Sequence, residues 1–328
     1  MFAPIQPKAT IFIPTYNRIQ FLKRALESAL NQTYANTQVV VLNNGSTDST
    51  AQLLEEYRQR VCLLENKTNI YPFDFSTILN SCEGYYWQFL SDDDWLEPTY
   101  LEEVIRLWTE NPKLVFVHAR CSVESKHGSN LGPGFPAILE GIELVQSFFE
   151  QRGGPSFCAT LFRSEDVRRN ISLIEGDYLG DAPLWTSIAF EGKVGFVDKP
   201  LSHYQLSDSS TIVQTIQLAM CDYLKLARRC QETFRQKGLS FEAVQGLQRA
   251  CDSGAGAVFA SLLFRKAAIG ATAASLFAEL RASWKIVTRM RFKTYILVAR
   301  SLMIPCQTWI RGIRPRIVRF IHTFRLII

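Results

Sequence analysis

The sequence predicts an α/β protein: a mainly parallel, doubly wound sheet flanked by helices, followed by a helical C-terminal extension. Three observations carry this expectation. Short apolar, β-branched runs alternate with amphipathic helical patterns through the first hundred residues. The segments between successive runs are long enough for the helical crossovers that parallel neighbours require. After about Thr215 the strand signal stops, and the remainder of the 328 residues reads as helix.

Each element has its own signal. Ala9 to Ile13 is a short apolar run stopped by Pro14. Leu22, Leu26 and Leu30 then recur every four residues, with Phe21, Ala25 and Ala29 one step round, which is an amphipathic helix. Gln38 to Leu42 reads as the second strand, closed by the turn-forming Asn43-Asn44-Gly45-Ser46. Ser49 with Gln52 three residues on predicts a capping box opening a helix that runs to Arg60. Val61 to Leu64 is the third strand, Phe73 to Cys82 a helix, and Tyr85 to Leu90 the fourth strand. Pro98 starts a helix to about Glu110, and Leu114 to Val117 is a fifth strand. From Ser125 to Pro136 the chain is polar and Gly-rich, as in a surface loop. Residues 140–150 and Pro183 to Phe190 read as helices, Cys158 to Phe162 and Val194 to Val197 as strands. The expected organisation is a domain of residues 1–215 and a helical region of 216–328.

Composition narrows the class. With 47% hydrophobic and 20% charged residues the chain can bury a sizeable core, which excludes disordered, collagen-like and low-complexity proteins. The eight cysteines form no Cys-x-x-Cys pair, so no disulfide scaffold is expected; they read as reduced and mostly buried, in a cytosolic setting. No secretion signal and no uninterrupted run of about 18 apolar residues is visible, so no membrane-spanning helix is expected. The formal net charge of +5 hides an asymmetry. Residues 281–328 hold eleven Lys or Arg and no Asp or Glu, which leaves −6 on the first 280 residues.

In such sheets ligands bind at the carboxyl ends of the strands. Two unusual polar clusters, 43–48 and 91–94, fall there. Asp92, Asp93 and Asp94 directly follow an apolar strand, and three adjacent carboxylates need compensation. A divalent cation that also binds substrate phosphates would supply it; capping of the helix near Pro98 is the plainer alternative, for which one Asp would suffice.

The motifs themselves resemble those of family 2 glycosyltransferases. Ile13-Pro14-Thr15-Tyr16-Asn17-Arg18 is similar to that family's opening strand and turn, and Leu30-Asn31-Gln32-Thr33-Tyr34 to the end of its first helix. Val41-Leu42-Asn43-Asn44-Gly45-Ser46-Thr47-Asp48 resembles its second-strand motif. Phe89-Leu90-Ser91-Asp92-Asp93-Asp94-Trp95-Leu96-Glu97-Pro98 resembles its metal-binding segment. Four pieces occur in order, and the resemblance covers about residues 9–212.

The resemblance implies the GT-A fold and a nucleotide-sugar donor. Pro14, Thr15 and Tyr16 would line the nucleotide pocket, Asn44 would stand where a base contact lies, and Asp92 would lie against the ribose. Asp93 or Asp94 would hold Mn²⁺ or Mg²⁺ on the donor diphosphate. Asn43-Asn44 stands where the family has at least one Asp, and Tyr71 where it often has Gly, so the base remains open. The family's catalytic base is an Asp or Glu shortly before an aromatic residue, which implies Asp181 with Trp185 four residues on, and Asp177 second; Asp181 also reads as the N-cap of the next helix. Gly153-Gly154-Pro155-Ser156 resembles the acceptor-side loop. Lys199-Pro200-Leu201-Ser202-His203-Tyr204, with Ser209-Ser210, resembles the end of the catalytic domain, where His203 could help with metal or phosphate.

The basic end allows three readings. Leu276, Leu280, Trp284 and Val287 share one helical face. After Pro315, residues Ile317, Phe320, Ile321, Phe324, Ile327 and Ile328 form an apolar stripe edged by Arg316, Arg319 and Arg325. That pattern suits a helix lying on an anionic membrane surface; a helix docked on the body and a nucleic-acid contact are the other readings, the last disfavoured by the acidic body. The expectation is an inverting, metal-dependent glycosyltransferase acting on a saccharide or lipid-linked saccharide in cell-surface polysaccharide synthesis. It would be cytoplasmic and peripheral on the inner face of the membrane. Two rivals stand beside it: a non-catalytic nucleotide-binding or scaffolding protein of the same fold, and a nucleotidyltransferase, which would want a Gly-rich phosphate loop near the first strand.

Overall fold

The computed structural model describes residues 6–70, 73–125, 128–173, 181–206 and 216–251. Asp177, Tyr71, Ser209-Ser210 and the basic segment 281–328 lie outside the described residues. By its packing the chain divides into two compact units. One comprises the chain up to Ser207 together with Arg229–Gly238; the other comprises Asp208–Arg228 and the chain from Leu239 onward.

Within the first unit the strands are β1 (Ala9–Thr15), β2 (Thr37–Asn44), β3 (Cys62–Asn66), β4 (Tyr86–Phe89), β5 (Trp95–Leu96), β6 (Phe116–Ser125), β7 (Gly128–Leu131), β8 (Ile138–Glu140), β9 (Thr160–Arg163) and β10 (Lys193–Gln205). The helices are α1 (Ile19–Leu30), α2 (Thr50–Tyr57), α3 (Phe75–Asn80), α4 (Tyr100–Glu110), α5 (Gly141–Phe149), α6 (Ser164–Asn170) and α7 (Ala182–Ala189). The strands form one sheet in the order β3-β2-β1-β4-β9-β6-β10-β5, with β7 paired to β6 and β8 to β10.

The expected alternation holds, and the sheet is flanked by helices. β3, β2, β1 and β4 are mutually parallel, as are β6 and β10. Every residue of β1 is buried, as a strand covered on both faces must be. The apolar stripe of α1 faces inward through Leu22, Ala25, Leu26 and Ala29. Trp87, Phe12, Phe116 and Phe162 are fully buried around the middle of the sheet.

Several details differ from the expectation. β9 lies between β4 and β6 and runs antiparallel to both; apolar periodicity does not encode strand direction. The segment expected as a loop after Ser125 instead returns as β7, with Ser122 opposite Leu131. All four β7 residues are exposed, so they carry no apolar signal. The Ser49 capping box does not form: Ser49 makes no side-chain cap, and Asp48 Oδ1 accepts the Thr50 amide instead, at 3.0 Å.

β10 is longer than its apolar run. It slips register around Pro200, which cannot donate to a ladder, and then pairs on to Gln205. That extension carries His203 and Gln205 back to the aspartates. Helix α8 (Ile216–Gln236) follows, with Phe234 packing edge-on against Phe190 in the first unit, ring centroids 5.6 Å apart. In the second unit residues 241–251 are helical, and Tyr223, Leu226, Leu247 and Cys251 are buried. Among the described residues no helix is long and apolar enough to cross a membrane.

Candidate active site

The carboxyl ends of β1, β2 and β4 meet, and the turns that leave them are tied together by polar side chains. Asn17 adopts a left-handed backbone (φ 53°), and its Oδ1 accepts the amides of Thr47 at 2.7 Å and Asp48 at 3.3 Å. Gly45 has φ +76°, and a Cβ there would sit 2.4 Å from the backbone carbon of Thr68. Only glycine satisfies both the conformation and the approach of the 66–70 loop. Asn44 explains that approach. Its Nδ2 donates to Asn69 Oδ1 (2.7 Å) and the Ile70 carbonyl (2.9 Å), while its Oδ1 accepts from Asn66 Nδ2 (2.7 Å) and the Ile70 amide (3.1 Å). All four hydrogen-bonding positions are taken. Asn44 therefore latches the loop beside the expected base pocket and offers no free polar atom to a base, which corrects its expected direct contact. Pro14 is likewise buried within β1, whereas Tyr16 is exposed at the strand's end.

The turn after β4 carries the three aspartates, all buried. Thr15 Oγ1 donates to Asp92 Oδ2 at 2.8 Å, which brings two of the expected nucleotide residues together. Arg18 spans the pair beside it: Nη1 lies 3.0 Å from Asp92 Oδ1, and Nη2 bonds Asp93 Oδ2. Arg24 adds a bond from Nη2 to the Asp93 carbonyl at 2.8 Å. Burial pushes the Asp92 carboxyl up to about 6, although Arg18 and Thr15 pull the other way. Asp94 accepts the Gln205 amide at 2.9 Å, and burial together with the neighbouring Asp93 holds its carboxyl well above the usual range.

Arg18 and Arg24 were not singled out by the sequence, and they change the charge argument. An internal guanidinium compensates Asp92 and Asp93, so carboxylate repulsion alone does not call for a cation. What a cation could use is Asp94, together with Asp93 Oδ1, to which no described group hydrogen-bonds. This all-oxygen donor set suits Mg²⁺ or Mn²⁺ completed by water and phosphate oxygens. Among the described residues no group of three or more His, Cys, Asp or Glu could enclose a metal. The residues fit a cation shared with a ligand, and not a cage made by protein alone.

Beside Asp94 opens a cavity of about 380 Å³, lined by Asp94, Asp181, His118, Arg120, Cys121 and Cys158 among others. Gly154, Pro155 and Ser156 form part of its wall. Asp181 stands at the start of α7 and its backbone carbonyl accepts the amides of Leu184 and Trp185 at 3.0 and 3.1 Å. Its carboxyl makes no cap bond, so the capping is done by backbone and the side chain is left at the cavity. Burial pushes that carboxyl up to about 7. His118 is buried with Nε2 unpartnered among the described residues, and burial lowers it to about 3, so it stays neutral. Arg120 pairs with Asp198 at 2.8 Å. The Cys121 thiol is lowered, chiefly by a thiol hydrogen bond from Cys158.

His203 departs from its expected role. Its Nε2 lies 2.8 Å from Glu97 Oε1 and its Nδ1 2.9 Å from Glu124 Oε1, and the ring stacks on Trp95 at 4.6 Å. Both nitrogens are occupied by protein carboxylates, so neither faces a metal or phosphate. The His203 contact, with Ser129 and Ser122, draws Glu124 down to about 2. His203 braces the turn after Asp94 against β6 and β10.

Comparison with known proteins gives a consistent picture. The family model described as Glycosyl transferase family 2 matches residues 10–169. Glycosyltransferase GlyA of Streptococcus pneumoniae is 26% identical over 231 residues, covering 63% of this chain and 32% of that protein. Chondroitin synthase of Escherichia coli is 30% identical over 132 residues, covering 39% of this chain and 19% of that one. The chain thus spans a third or less of the length of these relatives. Among solved structures, Staphylococcus aureus TarS 1–349 in complex with UDP-GlcNAc superposes with a TM-score of 0.54 at 16% identity, covering 89% of this chain and 84% of that one. Mannosyltransferase PcManGT from Pyrobaculum calidifontis, in complex with GDP-Man and Mn²⁺, gives 0.53 at 16%, covering 93% and 89%. At that identity the structural likeness establishes the shared fold.

Proposed function

Because residues 10–169 belong to glycosyl transferase family 2, we propose that this chain transfers a sugar from a nucleotide-diphosphate sugar to a saccharide or lipid-linked acceptor, with inversion at the anomeric carbon. The observation that carries the reading is one cavity whose lining includes both Asp94, from the turn after β4, and Asp181. Thr15 and Asp92 would receive the ribose, and the 66–70 loop latched by Asn44 would border the base. Asp93 and Asp94 would hold Mn²⁺ or Mg²⁺, which when bound stabilises negative charge on a departing diphosphate. Asp181 would take the proton from the acceptor hydroxyl as that oxygen attacks. A carboxyl raised to about 7 is well matched to this task, because a base near the working pH is both ionised and basic enough. The cavity wall of Gly154, Pro155 and Ser156 would seat the acceptor. The complexes of TarS with UDP-GlcNAc and of PcManGT with GDP-Man and Mn²⁺ support the donor class. The chondroitin synthase relative supports a role in polysaccharide synthesis.

Nuclear magnetic resonance of the first sugar released or transferred from an α-linked donor tests this directly. The reading expects the β anomer; retention would sink single-displacement catalysis by Asp181. The membrane reading rests on residues 281–328. Full-length protein should sediment with vesicles containing a third phosphatidylglycerol and release as salt rises, since each Lys or Arg near such a surface contributes about 1 kcal/mol. Equal binding to pure phosphatidylcholine, or none to either, would contradict it.

A further inference from the structure

Cys121 and Cys158 are both buried in the wall of the cavity, and their sulfurs lie 3.9 Å apart. They come from different elements. Cys121 is in β6, and Cys158 is in the single turn Phe157–Ala159 that leads into β9. β6 and β9 are antiparallel neighbours with His118 opposite Thr160, and the turn before β9 brings Cys158 beside Cys121. The turn is positioned by Gln88, whose Nε2 donates to the Phe157 carbonyl at 3.1 Å, and Cys158 also contacts Ser156 Oγ at 3.3 Å. The other described cysteines differ: Cys82 bonds the Ile78 carbonyl at 3.3 Å, and Cys221 is exposed.

We propose that Cys121 and Cys158 are a reversible disulfide site that gates the cavity beside Asp94. A disulfide needs its sulfurs about 2.05 Å apart, so closure brings together two sulfurs that already lie 3.9 Å apart. The step is thiol–disulfide exchange with a low-molecular-weight disulfide. The Cys121 thiolate attacks one of its sulfurs and expels a thiolate. The Cys158 thiolate then attacks Cys121 Sγ in the mixed disulfide and expels the second. The protein dithiol loses two electrons, the small disulfide gains them, and the two protein thiol protons end on the two released thiols.

The consequence passes through Asp94. Asp94 lines the same cavity as the two thiols. Oxidation removes both S–H groups and draws the two sulfurs together, which reshapes the cavity wall beside Asp94, whose carboxylate accepts the Gln205 amide. This half of the proposal rests on the donor-site role given to Asp94 above; formation of the disulfide does not.

The test equilibrates the full chain in graded ratios of bis(2-hydroxyethyl) disulfide to 2-mercaptoethanol, traps free thiols with N-ethylmaleimide, and maps peptides without reduction. The linked 121–158 peptide is expected, with sugar transfer falling at least tenfold in step with it and returning on reduction by dithiothreitol. Cys121→Ser and Cys158→Ser should each lose the redox response, whatever their basal rates. Absence of the linked peptide at ratios that fully convert Cys221 to a mixed disulfide would overturn the site. A linked protein with undiminished transfer would overturn the gating. If the reduced protein transfers no sugar, that result counts against the proposed function, and the linked peptide still decides the site.

Discussion

Asp181→Asn is expected to lower turnover by roughly 10²- to 10⁴-fold, the usual contribution of a positioned general base, and to leave nucleotide binding unchanged. The carboxyl makes no cap bond, so its loss breaks no contact that holds α7. The pH profile gives a second readout. With the folded carboxyl at about 7, wild-type turnover should fall tenfold per unit below that pH and level above it. The acid limb should vanish in the variant. Stability moves the opposite way. A carboxyl whose folded value lies above its unfolded one binds the proton more tightly when folded, so folding weakens as pH rises from about 4 to 7. At pH 8 the ionised, partly buried group costs up to roughly 4 kcal/mol, less where water reaches it. Asp181→Asn should therefore melt at or above the wild-type temperature at pH 8 and show little difference at pH 4. Full turnover in this variant would remove Asp181 from catalysis.

Arg18→Met should destabilise the fold by about 3 kcal/mol at pH 8, the low end of the range of about 3–5 kcal/mol seen when one partner of a buried ion pair is removed, because Arg18 is partly exposed. The variant leaves Asp92 and Asp93 without their guanidinium. Asp92 is already raised to about 6 with Arg18 present, and would rise further without it. Protonation relieves the uncompensated charge, so the loss should be small near pH 5 and grow as pH rises through 6 and beyond. Urea unfolding at pH 5 and pH 8 checks this, and Arg18→Met with Asp92→Asn should recover part of the loss. An equal loss at both pH values would show that Arg18 acts through packing alone.

The parts of the site that follow from local pattern were readable in the sequence. Strand ends set where ligands bind, and the clusters at 43–48 and 91–94 stand at such ends. What the sequence did not disclose depends on direction and packing. Periodicity marks residues 160–163 as a strand but is silent on β9 running antiparallel. Arg18 and Arg24 lie six residues apart on and before α1, and only the seating of that helix aims both at the 91–94 turn. Asn44 stands at an expected ligand position, yet the approach of the 66–70 loop consumes its hydrogen bonds. His203 is held by two glutamates, one of them 106 residues away in sequence. The 121–158 thiol pair depends on the pairing of β6 with β9, and its spacing of 37 residues carries no motif.

The central claim is a nucleotide-sugar donor site completed by a divalent cation at Asp93 and Asp94. A thermal-shift panel of UDP, GDP, dTDP and CDP, each with and without Mn²⁺ or Mg²⁺, addresses it most directly. The account predicts that one diphosphate raises the melting temperature only when metal is present, by the equivalent of about 2.7 kcal/mol at a hundred times its dissociation constant, and that Asp93→Asn weakens this shift. No shift from any diphosphate with either metal would contradict it.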